Sequence, residues 1–261
     1  MFNPDDFIDS NQKEFESEIH NILFGDTIKE YYCDFVEKKR LPDLYGKTIL
    51  VTEKQYPEIY NIIRDISNLI DMDPPKCFIY DDFFYDVSSH GINHPWIEIS
   101  CKSITDFNEK EFTFYIAKEL CNIKMHHTEH YEIIDLYLQM MENVSVPLSS
   151  ALAKSEKYLL YRWCRASCFT SDTFGMVISN SVEDSFSAIL KTILNNPELA
   201  KSINISEYLN QADAINAMND FAFNDTKLDE KVPYGNIRIK KILAYLSTRR
   251  GINTMLKYVG S

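Results

Sequence analysis

Three histidines and a glutamate stand close together in the run His126-His127-Thr128-Glu129-His130. His126 and His130 are four residues apart, so on one helix their imidazoles would point to the same side. The run matches the inverted zinc-binding motif H-x-x-E-H letter for letter. A match of five residues arises easily by chance, and no clear third ligand accompanies it. We therefore interpret the stretch as a polar, solvated end of a helix, with adventitious nickel or zinc binding as its main consequence.

The remaining metal-binding residue types are scattered. Cys164 and Cys168 are spaced i, i+4 on a predicted helix, but two thiols alone do not make a metal site. His90 and His94 lie in a Gly- and Pro-containing run that predicts a surface loop. The six cysteines show no framework spacing, which is typical of reduced thiols in the cytoplasm.

Composition narrows the class of protein. The 261 residues include 27 Lys and Arg against 39 Asp and Glu, a formal net charge of −12. Such a chain repels phosphate backbones, so we expect no nucleic-acid partner. No apolar run reaches the roughly 18–20 residues of a membrane span, and the acidic N-terminus lacks the pattern of a secretory signal. We therefore expect no membrane span and a cytoplasmic location, and the oligomeric state stays open.

Apolar periodicity predicts mostly helices with a few short strands between them. Two short helices are expected within 11–38 and single helices over 56–70 and 108–125, the last capped by Asn108. Further helices are expected over 131–144, 150–179, 182–195, 205–220 and 234–258. Strands are expected over 47–52, 77–80, 83–87 and 96–100. The predicted fold class is α+β, a small antiparallel sheet packed on a mostly helical body.

Six short motifs follow one another in a recognisable order. They are Pro57-Glu58-Ile59-Tyr60, the run from Pro75 to Tyr80, the 96–100 strand, Lys118-Glu119-Leu120-Cys121-Asn122-Ile123, the run from Cys168 to Gly175, and Val232-Pro233 with Arg238. In this order and spacing the chain resembles the HtpX-like gluzincin zinc metallopeptidases, the superfamily of the CAAX prenyl proteases. The resemblance covers residues 45–250. It implies a zincin-like body over 45–261, with 1–44 as an N-terminal helical extension.

The resemblance also implies that the zinc site has been lost. In the family, H-E-x-x-H supplies two histidine ligands and a general base, and a glutamate on a later helix completes the site. Here Lys118 and Asn122 stand at the two histidine positions and Cys168 stands at the third ligand position, while Glu119 keeps the place of the base. An ammonium has no lone pair and Asn is a poor zinc ligand, so we expect no metal, no other cofactor and no classical zinc proteolysis.

Other matched positions are expected to be structural. Asp172 and Arg238 would pair and tie the C-terminal helix to the core, Gly175 would allow close helix packing, and Cys121 would fill a helix contact. Cys168 has two interpretations. Facing Lys118, it would be a nucleophile of depressed pKa, or it would be a small hydrophobe that fills the space left by a glutamate and a metal.

Three hypotheses follow for function. The first is a pseudopeptidase that binds a peptide or protein segment in the former cleft, with Lys118, Glu119, Asn122 and Cys168 on the floor. At one side the 96–100 segment would serve as the edge strand, through Trp96, Ile97, Glu98 and Ile99. The second is a re-purposed metal-free enzyme that uses Lys118, Glu119 and Cys168 on a peptide or carrier-bound substrate. The third is a zinc peptidase with a rebuilt ligand set drawn from Cys168 and the 126–130 cluster.

Overall fold

The computed structural model describes residues 2–22, 25–142, 147–218 and 220–259, and most of them are helical. In chain order the helices are α1 (Ser10–Ile22), α2 (Gly25–Tyr31), α3 (Lys38–Lys47), α4 (Pro57–Leu69), α5 (Cys101–Asp106), α6 (Glu109–Lys124), α7 (His127–Glu142), α8 (Pro147–Ser179), α9 (Val182–Leu194), α10 (Pro197–Lys201), α11 (Ile205–Ala217), α12 (Phe221–Leu228), α13 (Gly235–Leu246) and α14 (Arg249–Val259). A π-helical turn, Tyr32–Glu37, leads into α3.

Four strands form one mixed sheet, which confirms the α+β class. They are β1 (Ile49–Leu50), β2 (Lys76–Tyr80), β3 (Val87–His90) and β4 (Trp96–Ser100), in the order β1-β2-β4-β3. β4 runs parallel to β2 and antiparallel to β3. The prediction of an antiparallel sheet is therefore wrong, because the chain leaves β2 for the far edge of the sheet and returns to fill the place between.

The strand predicted over 83–87 is also wrong, since β3 begins only at Val87. Phe83 and Phe84 are 83% and 65% exposed on the connection from β2. Their aromatic character suggested a strand, yet neither side chain packs on the sheet. The backbone enters the sheet once Asp86 donates its N–H to Ser100 Oγ and accepts from the N–H of Ser100.

β4 lies in the interior of the sheet, so the prediction that 96–100 is an edge strand is wrong. Ile97 and Ile99 are fully buried in the main core, on the face of the sheet that α6 covers. Trp96 and Glu98 are buried on the other face, where Trp96 packs with Leu44 and Phe78. The backbone of β4 is paired on both sides, so the edge strand next to α6 is β3.

Helix α6 runs through the centre of the molecule, between the sheet and α8. Its start is fixed by a capping box: Asn108 Oδ1 accepts from the N–H groups of Lys110 and Glu111, and Glu111 Oε2 accepts from the N–H of Asn108. The predicted cap is confirmed. Phe114, Ile116 and Leu120 are fully buried along the helix, so α6 is held on several sides at once.

Most predicted helices are confirmed within a few residues, and some differ in their ends. The helix expected over 234–258 is two helices, α13 and α14, and the one expected over 131–144 begins earlier, at His127. The end predicted at 143–144 lies outside the described residues, and the helix expected over 205–220 ends earlier, at Ala217. No helix within the described ranges is long and apolar enough to cross a membrane.

The N-terminal residues pack on the body. Phe7 is 1% exposed, belongs to the main core and meets Phe174 of α8 edge to face at 5.0 Å. Phe15 and Ile19 of α1 pack with Trp163 in a second cluster. The division at residue 44 into an extension and a main domain stays a prediction.

Gly175 lets α6 and α8 approach closely, as the sequence predicted. A Cβ built at this position would lie 2.6 Å from the backbone oxygen of Phe114. We expect Gly175→Ala to lower the free energy of unfolding by about 1–3 kcal/mol, because two packed helices must separate to admit the methyl group. Gly46→Ala in α3 is the control, since a Cβ added there would meet nothing within 4 Å. Urea unfolding measures both, and a Gly175→Ala variant as stable as wild type would contradict the close-contact explanation.

Candidate functional site

A cleft of about 420 Å³ opens between β3 and the helices α6, α7, α8 and α13. The four residues predicted for its floor all line it: Lys118, Glu119, Asn122 and Cys168. The one-turn spacing of Lys118 and Asn122 on α6 places both beside Glu119. The four residues that were predicted on the 96–100 segment are buried within the sheet and do not line this cleft.

Glu119 is surrounded by hydrogen-bond donors. Lys118 Nζ lies 2.9 Å from its Oε1. Its Oε2 accepts from the Ser89 hydroxyl at 2.7 Å, from the Ser89 N–H at 3.1 Å and from Asn122 Nδ2 at 3.1 Å. The side chains of Lys118 and Glu119 are only 14% and 7% exposed, so this is an ion pair of the interior.

The two charges of this pair stabilise each other. Burial by itself raises the pKa of Glu119, but the positive charge of Lys118 and the hydrogen bonds from Lys118, Ser89 and Asn122 leave that pKa below its ordinary value. Burial by itself lowers the pKa of Lys118, and the negative charge of Glu119 more than offsets it. Both groups are therefore ionised at neutral pH.

A chain of hydrogen bonds leads from Glu119 to the N-terminal helix. Asn122 Oδ1 lies 3.1 Å from Nδ1 of the buried His127, whose Nε2 is 2.8 Å from Gln12 Nε2. Gln12 Oε1 accepts in turn from the Thr170 hydroxyl at 2.6 Å. Burial lowers the pKa of His127 to about 3, so the ring is neutral. Its Nδ1–H then donates to Asn122 and its Nε2 accepts from Gln12, so every donor in the chain points towards Glu119.

Cys168 lies on the same floor, next to a second buried ion pair, which joins Asp172 and Arg238. Its thiol is directed at Asp172 Oδ2, 3.7 Å away. Asp172 is held by Arg238, whose Nε and Nη2 each donate to one carboxylate oxygen at 2.7 Å. The predicted pairing of Asp172 with Arg238 is confirmed. Burial and the charge of Asp172 raise the pKa of Cys168 to about 12, so the depressed thiol pKa expected from the sequence is wrong.

The donor set of this floor does not suit zinc. At the three ligand positions that the resemblance implied stand an ammonium paired with a carboxylate, an amide committed to two hydrogen bonds, and a protonated thiol. Zinc requires lone pairs from neutral imidazole, thiolate or carboxylate groups. Within the described residues, no group of three or more His, Cys, Asp and Glu side chains is placed to hold a metal ion.

Comparison with known proteins gives a distant relative. A plastoglobule-localized metallopeptidase 48, a chloroplastic protein of Arabidopsis thaliana, is 19% identical to this chain over 179 residues. The match covers 67% of this chain and 52% of that protein, so the chain spans about half the length of its relative. No protein-family model and no solved structure matches the chain. The chain is therefore distantly similar to a metallopeptidase.

The described residues of the 126–130 run form no group of three metal ligands, although His126 Nδ1 lies 3.3 Å from Glu129 Oε2. His126 stands at the break between α6 and α7, with φ of 59°, and its side chain is 73% exposed. His130 Nδ1 is bonded to the backbone oxygen of His126 at 2.7 Å. The interpretation as a polar helix end is confirmed for His126. It is wrong for His127, which is buried in the hydrogen-bond chain from Glu119.

His90 is the main residue of the cleft that sequence reasoning misplaced. It lies on β3 instead of a surface loop, with Nδ1 2.9 Å from Glu132 Oε1 and Nε2 3.1 Å from the Ser88 hydroxyl. Burial alone would lower the pKa of His90, but Glu132 and Glu98 raise it above its ordinary value despite nearby Arg40. Gly91 and Pro95, which follow His90, led to the prediction of a loop, so the short strand was not predicted.

Ser89 was missed as well, although it contributes two of the hydrogen bonds to Glu119. Its hydroxyl lies 2.7 Å from the hydroxyl of Thr128 on α7, so it joins the edge strand to two helices. The signal was a polar residue between Val87 and Gly91 that alternation would place towards α6. Nothing in the local sequence names Glu119 as its partner.

We expect the thiol of Cys168 to be chemically inert in the folded protein. A thiol with a pKa near 12 carries almost no thiolate at neutral pH, and Cys168 is 4% exposed. Exposed Cys101 serves as the internal reference. Incubation with iodoacetamide at pH 8, followed by peptide mass spectrometry, should modify Cys101 at least about 100 times faster than Cys168. Comparable rates would restore Cys168 as a nucleophile.

Proposed function

We propose that this protein is a pseudopeptidase of the HtpX-like fold that binds a peptide or protein segment in the cleft between β3 and α6. The proposal rests on one observation above all. Lys118 Nζ lies 2.9 Å from Glu119, at the place where the resembling peptidases hold a metal and activate water beside their base. The order of motifs in the sequence and the distant metallopeptidase relative support the family part of the proposal.

The surroundings of Glu119 oppose a role as general base. A base needs a free lone pair facing the proton that it removes and a pKa near the working pH. Glu119 accepts hydrogen bonds from Lys118, Ser89 and Asn122, and its pKa is below the ordinary value. A carboxylate so stabilised takes up a proton only with difficulty.

The cleft nevertheless keeps features that suit an extended segment. Strand β3 is an edge strand, and a bound segment can add to such an edge through main-chain hydrogen bonds. Lys118 Nζ has one hydrogen-bond acceptor among the described residues, Glu119 Oε1. An ammonium has three N–H groups, so two remain for the carbonyl oxygens of a bound segment.

A cytoplasmic location is part of the same proposal. It rests on the six cysteines, which are all free thiols. The second hypothesis, an enzyme with a Cys168 nucleophile, is not adopted because its thiol is protonated and directed at Asp172.

A displayed library of random peptides tests the proposal. Peptides selected on the full chain are measured against two matched variants, Val232→Trp, which adds bulk at the cleft, and Val259→Trp on α14. Both valines are exposed, at 55% and 36%, and only Val232 lines the cleft. We expect Val232→Trp to weaken binding at least tenfold and Val259→Trp to change it less than twofold.

Two results would count against the proposal. If the selected peptides bind both tryptophan variants like wild type, or if repeated selections yield no binder, the cleft is not a peptide site. If mass spectrometry shows the bound peptide cleaved by wild type and intact with Glu119→Gln, the protein is a working peptidase. Intact peptide bound through the cleft supports the pseudopeptidase.

A further inference from the structure

A second cavity, of about 290 Å³, lies among α1, α8, α11, α12 and α13 and shares no lining residue with the cleft. We call it the basic cavity because three cations line it, Arg162, Arg165 and Lys227. The remaining lining residues are mostly apolar or aromatic, including Phe15, Phe169, Tyr234, Ile215, Leu228 and Ile237.

These three cations have no carboxylate partner among the described residues, although most other lysines and arginines there are ion-paired. Arg165 donates to the backbone oxygens of Leu228 and Glu230, at 3.2 and 2.5 Å. Lys227 donates to the backbone oxygens of Ile215 and Met218, at 3.3 and 2.8 Å.

Arg162 is the least satisfied of the three. Its guanidinium lies over the ring of Phe15, 4.2 Å from the centroid, and makes no hydrogen bond or ion pair with any described residue. Burial and then the charge of Arg162 lower the pKa of Arg165, which shows that the two guanidinium groups repel each other. Cys164 and Glu230, which also lines the cavity, offset this only in part. Three cations against one carboxylate therefore leave an excess of positive charge around the cavity, in a chain of net charge −12, and this excess points to an anion as the missing partner.

We propose that the basic cavity binds a small molecule that carries a phosphate monoester on a flat apolar ring. A phosphate monoester brings nearly two negative charges and three acceptor oxygens, which match two guanidinium groups and an ammonium. Phe169 and Tyr234 offer aromatic walls to a ring. The volume is near the lower end for small-molecule pockets, which favours one ring and one phosphate over a larger ligand.

Titration calorimetry on the full chain in low salt tests the proposal with phenyl phosphate, phenol and inorganic phosphate. Phenyl phosphate should bind saturably with one site per chain, and phenol and inorganic phosphate should bind at least tenfold more weakly. Arg162→Gln should weaken the binding at least tenfold. Arg249→Gln is the matched control, because Arg249 is exposed, does not line this cavity, and its replacement makes the same change in net charge.

A second measurement separates ligand binding from a structural role. Without ligand, Arg162→Gln should change the thermal midpoint little, because the loss of the guanidinium contact with Phe15 is offset by the removal of a like charge from Arg165. The proposal is overturned if phenyl phosphate does not bind saturably, or if inorganic phosphate or phenol binds as tightly as phenyl phosphate. It is also overturned if Arg162→Gln binds like Arg249→Gln.

Discussion

Replacing Arg238 with glutamine should lower the free energy of unfolding by about 3–5 kcal/mol, the usual cost of removing one partner from a buried ion pair. Arg238 and Asp172 are 7% and 1% exposed and joined by two hydrogen bonds of 2.7 Å. Without the guanidinium, the carboxylate of Asp172 keeps only the weak thiol donor of Cys168 and the charge of Lys118, which is already paired with Glu119. Urea unfolding at pH 7, followed by tryptophan fluorescence, measures the loss.

Two further variants help to explain the loss of stability in Arg238→Gln. Arg64→Gln breaks an exposed ion pair with Asp65 and should cost less than about 1 kcal/mol. The double variant Arg238→Met with Asp172→Leu removes both charges and should recover much of the stability lost by Arg238→Gln, because no unpaired charge stays buried. A loss below about 1 kcal/mol for Arg238→Gln would show that Asp172 is neutral or hydrated in the folded protein.

Replacing Lys118 with methionine should also cost about 3–5 kcal/mol at pH 7, and the cost should grow with pH. In wild type the pKa of Glu119 is below its ordinary 4.5 and that of Lys118 is above its ordinary 10.5. The stability that ionised Glu119 contributes to the folded protein is therefore present above pH 4.5 and lost as the pH falls through its folded pKa. The stability that charged Lys118 contributes is present below pH 10.5 and lost as the pH rises through its folded pKa.

In the Lys118→Met variant, the pKa of Glu119 should shift in the opposite direction from wild type. With the cation gone, burial becomes the dominant influence and raises the pKa of Glu119 above 4.5. A raised carboxyl pKa favours the folded state at low pH, so the difference from wild type should be smaller at pH 5 than at pH 8. Urea unfolding at both pH values checks this, with Lys240→Met as the control for an ion pair that is 35% and 71% exposed. A difference that does not change with pH would mean that Glu119 is not the group left unpaired.

Local pattern was enough to predict most of the longer helices and the floor of the cleft, although α3, α5, α10 and α12 were not predicted. Apolar spacing placed α4, α6, α8 and α9, and the order of motifs brought Lys118 and Asp172 to their positions. The sequence did not predict how segments that are far apart along the chain pair with each other. The parallel register of β2 with β4 depends on where β3 goes, and strand spacing alone does not encode that choice.

Some of the charge partners of the site residues could not be predicted either, because they also depend on contacts between distant segments. The sequence placed Lys118 opposite Cys168, but the thiol is directed at Asp172, one turn further along its own helix. Similarly, Gln12 and His127 are 115 positions apart, and only the folded chain joins them. The direction of each pKa shift therefore depended on tertiary partners and not on residue type alone.

The hydrogen bonds around Glu119 constrain the evolutionary paths open to this chain. Lys118→His alone removes the fixed cation of a buried carboxylate, Asn122→His alone breaks the link from Glu119 to His127, and Cys168→Glu alone places a second carboxylate beside Asp172. Each step towards a zinc-ligand set is destabilising before the metal can compensate it. A chain with this arrangement therefore acquires a metal centre at this floor only through several simultaneous changes.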